Sequence, residues 1–420
     1  MFSTLQEVEL FFKQRQRLGM KPGLERIHGL LNKLGNPEEK MTAIHLAGTN
    51  GKGSTLHFIK AALMANHYQV GVFTSPSFHG LRGHILLDDK MIPESELISI
   101  LNKVYPYVSE MDKVGNGPTE FEVLTAVAFS YFAENGEIIL VETGMGGRFD
   151  TTNSFHPILS IITNIALDHT DYLGATREEI AYHKAGIIKQ HSPVILGKIE
   201  NGPLSVIVEE ARNNQAPIYR LGEDFYFEKN GGKIIWKSGD GKHSVNLMMK
   251  GVHQYSNVSL ALQTLKLLEE LDYNLDWLQA IDAMEKTELP GRFECVHRKP
   301  TVVVDAAHNP DGIKAFLHTV QKHYPDAEKH VIVAMFQDKA TEEMLHLLNG
   351  YFDYITLTSF DHPRAWNPFQ IEVEHFSNVK KINTDYIDVF DHIIADEKIY
   401  FITGSLHFIT EARRYFLENV

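Results

Sequence analysis

Directly after the apolar stretch 41–47, the chain reads Gly48-Thr49-Asn50-Gly51-Lys52-Gly53-Ser54-Thr55. Glycines at these positions let the backbone curl until several N–H groups point inward. A helix that starts here adds the partial positive charge of its N-terminus, and Lys52 reaches toward terminal phosphates. Ser54 or Thr55 is placed to meet a magnesium ion. The chemistry is phosphate binding, with Gly48 to Ser54 as the candidate cradle and Lys52 also as a candidate catalytic group. The run is not a full Walker A pattern, because a glycine is required five residues before Gly51 and this chain has Leu46 there. An ordinary Gly-rich turn is the other reading of these residues alone.

Further candidates lie where other apolar runs stop. The run 70–73 ends in Thr74-Ser75-Pro76-Ser77, which leaves hydroxyls at a strand's carboxyl end, where open α/β sheets bind ligands; Ser75 is a metal or phosphate ligand or a turn serine. The run 138–141 ends in Glu142 and then Thr-Gly-Met-Gly-Gly, a usual setting for a carboxylate on Mg2+ or else a solvated loop acid. A strand over 158–163 delivers Asn164, Asp168, His169, Thr170 and Asp171 to the same edge, with His169 either a ligand or a structural histidine. In 176–188, Thr176 and Glu179 form a capping box, and the register it sets predicts Ile180, Lys184, Ile187 and Ile188 on one face. A lysine on such a stripe snorkels to solvent, pairs with an acid, loses its charge, or faces an active site.

The elements that position these groups follow from periodicity. Two helices are predicted within 1–40, one following the glycine-rich run from Thr55 to Leu63, and others over 94–104, 119–132 and 204–213; glycines at 231–232 and 239–241 mark hairpins. Leu289-Pro290-Gly291-Arg292-Phe293-Glu294 reads as a linker. Beyond it, strands over 301–304, 331–335, 354–359 and 399–403 end in polar clusters. Those clusters are Asp305 to Pro310, Gln337-Asp338-Lys339, and Gly404-Ser405. The alternation predicts a smaller doubly wound, Rossmann-like α/β domain over 297–420, after a P-loop α/β domain over 1–296 that includes the linker 289–296. Two such lobes place a ligand cleft between them.

Composition bounds the function. With 420 residues, 43% hydrophobic and 22% charged, the chain is long enough for two cores. A net charge of −14 and a pI near 5.9 argue against a nucleic-acid partner. The single cysteine, Cys295, excludes an intrachain disulfide and a multi-cysteine metal site. No apolar run is long enough to span a membrane, and charges interrupt the N-terminal stretch where a signal peptide needs an apolar core, so the expected location is the cytoplasm.

Eight stretches in order, GTNGKGST, TSPS, ETGMGGRFDTTN, ITNIALDHTDYLG, HKAGIIK, LPGRFE, DAAHNPDG and TGSLHFITEAR, resemble the folylpolyglutamate synthase and dihydrofolate synthase branch of the Mur ligase family. The resemblance spans almost the whole chain. It implies a Mur-ligase-like P-loop domain and ATP-dependent ligation. A carboxylate is phosphorylated, an amino acid's amine attacks the acyl phosphate, and phosphate leaves. Carried over by motif, Gly48 to Ser54 hold the ATP phosphates, and Asn257, Arg292 and Asp305 contact ATP. Ser75, Glu142 and His169 hold Mg2+, with two ions expected. Lys184 is carbamylated, and His308, in the DAAHNP loop, is a candidate catalytic residue. The implied substrates are ATP, L-glutamate and a folate or pteroate acceptor, with dihydrofolate synthesis, folylpolyglutamate synthesis or both as the activity, in a monomer.

This chain departs from the family where SPHL and an FNERI-type stretch are usual: it has Ser75-Pro-Ser77-Phe78-His-Gly-Leu-Arg82-Gly-His-Ile, so the loop that helps hold the pterin is altered. DGAHNP is DAAHNP here. Two other classes stay open on the residues: a Mur-type ligase acting on another acid, such as a cell-wall precursor or poly-γ-glutamate, and a P-loop nucleotide switch. Amino-acid-dependent ADP release separates the switch from the ligases.

Overall fold

The computed structural model describes residues 1–394 and 398–418. The chain forms two compact units. One comprises Met1–Ile165, Leu173–Asn246 and Ser256–Glu285; the other comprises Ala166–Tyr172, Leu247–Tyr255 and Lys286–Val420. Among the described residues no helix is long and apolar enough to cross a membrane.

The first unit is built on β1 (Ala43–Ala47), β2 (Val70–Phe73), β3 (Ile85–Leu87), β4 (Lys90–Met91), β5 (Ile138–Glu142), β6 (Leu159–Ile162), β7 (Val194–Leu196) and β8 (Ile218–Arg220). Among the described residues these make one sheet in the order β4-β3-β2-β5-β1-β6-β7-β8. From β2 to β8 the neighbours are parallel, and β3 and β4 add an antiparallel edge. Strand β1 is buried throughout, because helices cover both faces of a parallel sheet and its strands must be apolar on both. Ala43 joins one apolar cluster with Phe73, Ile139 and Val141. Ala47 joins another with Ile162, Val194 and Ile180. The chain leaves β1 toward β2 on one side and later places β6 on the other, so β1 lies at a change of direction. Ligands bind at the strand ends of such a point.

Three strands, β9 (Phe225–Asn230), β10 (Lys233–Ser238) and β11 (Gly241–Val245), form an antiparallel meander. Gly231 and Gly232 both take positive φ in its first turn, as a two-residue hairpin turn requires. The helix expected over 94–104 instead runs from Glu94 to Lys113, through Pro106. Leu97, Leu101, Val104 and Val108 keep one face buried past the proline, and that burial outweighs the lost backbone hydrogen bond.

In the second unit, β12 (Glu294–Arg298), β13 (Thr301–Asp305), β14 (Lys329–Val333), β15 (Tyr354–Leu357), β16 (Val379–Ile382) and β17 (Ile399–Thr403) are ordered β12-β13-β17-β14-β15-β16, parallel except for β12. The apolar alternation does not reveal β12 or β16. Both are edge strands, and β16 carries Lys380 and Lys381 exposed, a common way to keep an edge from pairing with another chain. Val303, Phe316, Val331, Phe352 and Phe401 fill the core. Parallel strands bring the loops after β13, β14 and β17 to one sheet edge.

Candidate active site

In the first unit the helix begins at Lys52, three residues before the sequence pattern places it, and ends at Ala65. Its N-cap, Gly51, has φ +85 and no side chain to cap the first turn, so the helix's positive end is left for a ligand. Gly48 has φ +153, and a Cβ there would strike the Thr163 hydroxyl. The end of β6 braces the loop. The Thr49 amide donates to the Asn164 carbonyl at 3.2 Å and the Asn50 amide to Asn164 Oδ1 at 2.8 Å, while Thr163 Oγ1 donates to the Asn50 carbonyl at 2.6 Å. Gly53 leaves open space beside its backbone, and Ser54 is buried. Asn257, on the helix His253–Glu270, is buried with its carboxamide against Gly51.

These contacts make Gly51→Ala a test of the cradle. The substitution forces an L residue into a left-handed conformation, at about 1–3 kcal/mol, and drives a methyl into Asn257 Oδ1. A rise of at least about tenfold in KM for ATP is expected in steady-state ADP-release assays; an unchanged KM would show that this backbone does not meet phosphate.

Lys52 is not an exposed loop residue. Its side chain is 17% exposed; Nζ donates to the Gly48 carbonyl at 3.0 Å and lies 3.9 Å from Glu142 Oε1. Glu142, the last residue of β5, is 6% exposed and pairs in register with Leu46 of β1, which puts the carboxylate beside the phosphate loop. Thr74, at the end of β2, donates its hydroxyl to Glu142 Oε2. Ser75 follows it, half-buried. Among the described residues no three His, Cys, Asp or Glu side chains gather closely enough to hold a metal by themselves. A buried carboxylate that accepts the Thr74 hydroxyl beside a phosphate cradle nevertheless fits Mg2+, which takes one or two carboxylates together with phosphate and water.

The loop after Glu142 is braced from below. Asp150, buried and raised above its usual carboxylate range by that burial, accepts from the Met145 amide at 2.7 Å and from Thr152. His45 of β1 bonds Thr152 Oγ1 through Nε2 at 2.9 Å, and full burial brings its pKa down to about 3. The same loop meets the Lys184 helix: the Arg148 amide donates to the His183 carbonyl, and Asn153 to the Gly186 carbonyl.

Thr176 and Glu179 form the expected capping box, and the helix Arg177–Ala185 follows. It stops at Ala185, so Ile187 and Ile188 do not lie on its face as the register predicts. They are packed beyond Gly186, in the same apolar cluster as Ile180. Lys184 is 4% exposed, and its ammonium does not snorkel to solvent.

In the second unit the loops after β13 and β14 converge on Asp168. Lys339 Nζ is 2.6 Å from its Oδ1; His308 Nε2 and Asn309 Nδ2 are each 3.3 Å from Oδ2. Burial pushes the Asp168 carboxyl up, but the His308 hydrogen bond and the neighbouring His308 and Lys339 hold it well below the usual range. His308 is oriented from behind by Nδ1 and the Ala306 carbonyl, 2.9 Å apart. His169 takes φ +51; burial, helped by Lys339, lowers its pKa to about 4, which leaves a neutral imidazole suited to a metal. Asp305 ends β13 and accepts from the Phe293 amide at 2.9 Å and the Ala307 amide at 3.0 Å, so the Pro290-Gly291-Arg292 turn is tied to the strand. The candidate site residues therefore fall into two groups: Gly48 to Ser54, Ser75, Glu142, Lys184 and Asn257 in the first unit, and His169, Arg292, Asp305 and His308 in the second. Thr74, Thr163, Asp168 and Lys339 are named in the sequence only within strands or the polar clusters that follow them, and the structure supplies their contacts. Their one trace in the sequence is a polar residue at, or a few residues beyond, the end of an apolar run.

A phosphate loop with a carboxylate at its mouth, in a chain whose second unit is doubly wound, defines a class of nucleotide-using two-unit α/β enzymes. Residues 46–265 match the Mur ligase middle domain, and residues 291–405 match the Mur ligase glutamate ligase domain. The dihydrofolate synthase/folylpolyglutamate synthase of Bacillus subtilis is 35% identical over 428 residues, covering 99% of each chain. Folylpolyglutamate synthase of Mycobacterium tuberculosis complexed with ADP superposes with a TM-score of 0.88 at 30% identity, covering 98% of both chains. E. coli FolC in complex with DHPP and ADP gives a TM-score of 0.88 at 26% identity, covering 98% of this chain and 97% of that one. The chain belongs to the Mur ligase family, in its folylpolyglutamate synthase and dihydrofolate synthase branch.

Proposed function

We propose that this chain uses ATP to join L-glutamate to the carboxylate of a folate-type acceptor, a dihydropteroate, a tetrahydrofolate or both, through an acyl phosphate. The observation that carries this reading is the uncapped phosphate loop beside Glu142, in a chain matched end to end by enzymes of that activity. Transfer between two anions needs charge neutralised and atoms aligned. The loop amides of Gly48 to Ser54 hold the phosphates, and Lys52 lies on the side where charge accumulates. Asn257, Arg292 and Asp305 contact the nucleotide. Ser75, Glu142, His169 and a carbamylated Lys184 would hold Mg2+, which when bound supplies positive charge to the transferring phosphoryl group. His308, held by Asp168, serves the step in which the amine attacks the acyl phosphate, and phosphate departs with the amide formed. The enzyme works as a monomer in the cytoplasm.

The test is ADP release over a panel of acceptors and amino acids. Release that needs both glutamate and a folate or pteroate supports the reading. Release with another acid alone, or without any amino acid, overturns it.

Asp305 adds a pH prediction. Burial raises its carboxyl to about 6, opposed by Arg292 and by the Phe293 and Ala307 amides. A raised folded pKa contributes stability that is complete below the ordinary 3.8 and lost as pH rises through about 6, so ionised Asp305 at neutral pH costs the fold stability. A carboxylate kept at that cost serves the nucleotide. We expect kcat/KM for ATP to fall as pH drops through about 6, and Asp305→Asn to be impaired throughout and to lack this limb. Arg292→Ala raises KM for ATP about tenfold. Wild-type kinetics in both variants would remove this unit from the nucleotide site.

A further inference from the structure

The segment that departs from the family's pattern, Ser75 to Ile85, is a closed loop with its ends tied twice. The Thr74 amide donates to the His84 carbonyl at 3.1 Å, and His84 Nδ1 is 2.7 Å from the Thr74 carbonyl. A carbonyl oxygen only accepts, so Nδ1 carries the proton, and it does so in the neutral and the charged imidazole alike. Between these ends the loop is packed on itself: a Cβ on Gly83 would strike Ser77 Oγ and His79 Cβ, and Arg82 Nε donates to the Ile92 carbonyl at 2.8 Å. The tied residue, Thr74, is the one whose hydroxyl reaches Glu142. A continuous path thus runs from the His84 imidazole through Thr74 to the carboxylate that Lys52 faces.

We propose that His84 is a positioning residue: by holding the Thr74 carbonyl it fixes the Thr74 hydroxyl on Glu142, and so ties the base of the substituted loop to the metal-binding carboxylate. This rests on the assignment of Glu142 given above. In this role the imidazole acts through the Thr74 carbonyl that it holds. Asparagine presents a side-chain N–H at nearly the position of Nδ1, so His84→Asn keeps the bond while His84→Ala removes it. Thr74→Val keeps the shape of Thr74 and removes the hydroxyl.

The experiment is calorimetric titration of each variant with the ATP analogue AMPPCP, with and without Mg2+, alongside kcat and KM for ATP and acceptor; circular dichroism melts confirm folding. His84→Ala is expected to weaken binding of the Mg2+ complex and lower kcat by about tenfold, the worth of one positioning hydrogen bond. Metal-free binding should stay unchanged. His84→Asn should stay within about twofold of wild type, and in the Thr74→Val background His84→Ala should add nothing further, as residues acting along one path must. Wild-type binding and turnover in His84→Ala, equal loss in the Ala and Asn variants, or additive losses with Thr74→Val would each overturn the proposal. Glu142→Gln separates the two readings: unaltered Mg2+-dependent binding there would sink the Glu142 assignment itself, whereas loss there without loss in His84→Ala would sink only the role of His84.

Discussion

Lys52→Ala is expected to lower kcat for ligation by about two to three orders of magnitude at saturating ATP, the scale seen when one preorganised group facing developing charge is removed. The Lys52 ammonium is held by a hydrogen bond that it donates to the Gly48 carbonyl, and Glu142 stands 3.9 Å away. Alanine removes both the charge and this alignment. Because the side chain is largely buried and faces an acid, the variant should also melt lower, unlike a substitution on a solvated loop. Melting temperature measured beside single-turnover rates separates the two effects. Turnover equal to wild type would discard the phosphate-loop assignment.

The second large effect is expected at Lys184. An ammonium that is 4% exposed carries a desolvation penalty, and a nearby Mg2+ would add repulsion. Carbamylation reverses the sign of the electrostatic interaction by turning the cation into an anion, and burial favours the neutral amine that reacts with CO2. Lys184→Ala should therefore lose most activity, about a hundredfold or more, as on loss of a metal-supporting group. Lys184→Arg should not restore it, since a guanidinium stays cationic and forms no carbamate under these conditions. A small added carboxylate should partly rescue the alanine variant, and enzyme equilibrated with labelled CO2 should show a carbamate carbon in its NMR spectrum. Full activity in Lys184→Arg, or no label on folded enzyme, would rule the modification out.

Some of this molecule is written in short stretches. The phosphate loop is legible because its requirements are local: an apolar strand, glycines that admit φ +153 and +85, and a helix beginning at the lysine. The capping box of Thr176 and Glu179, the paired glycines of the β9–β10 turn, and the alternation of strand and helix beyond residue 297 are local in the same sense. Each depends on residues a few positions apart, so periodicity and turn chemistry suffice to find them.

What the tertiary structure decided is every pairing between distant residues. Nothing near Lys339 in the chain signals Asp168, 171 residues away, because their contact exists only once the second unit's sheet has set its loops. Thr163 and Asn164 brace the phosphate loop because β6 pairs with β1, and Glu142 meets Lys52 because β5 pairs with β1 on the other side. The helix through Pro106 was settled by which side chains could be buried, a quantity that belongs to the assembled unit and not to any window of sequence. His84 is the sharpest case. In the sequence it is a departure from the family's pattern, and in the fold it is the hydrogen-bond donor at the base of a loop, because strand pairing between β2 and β3 brings residues 74 and 84 together.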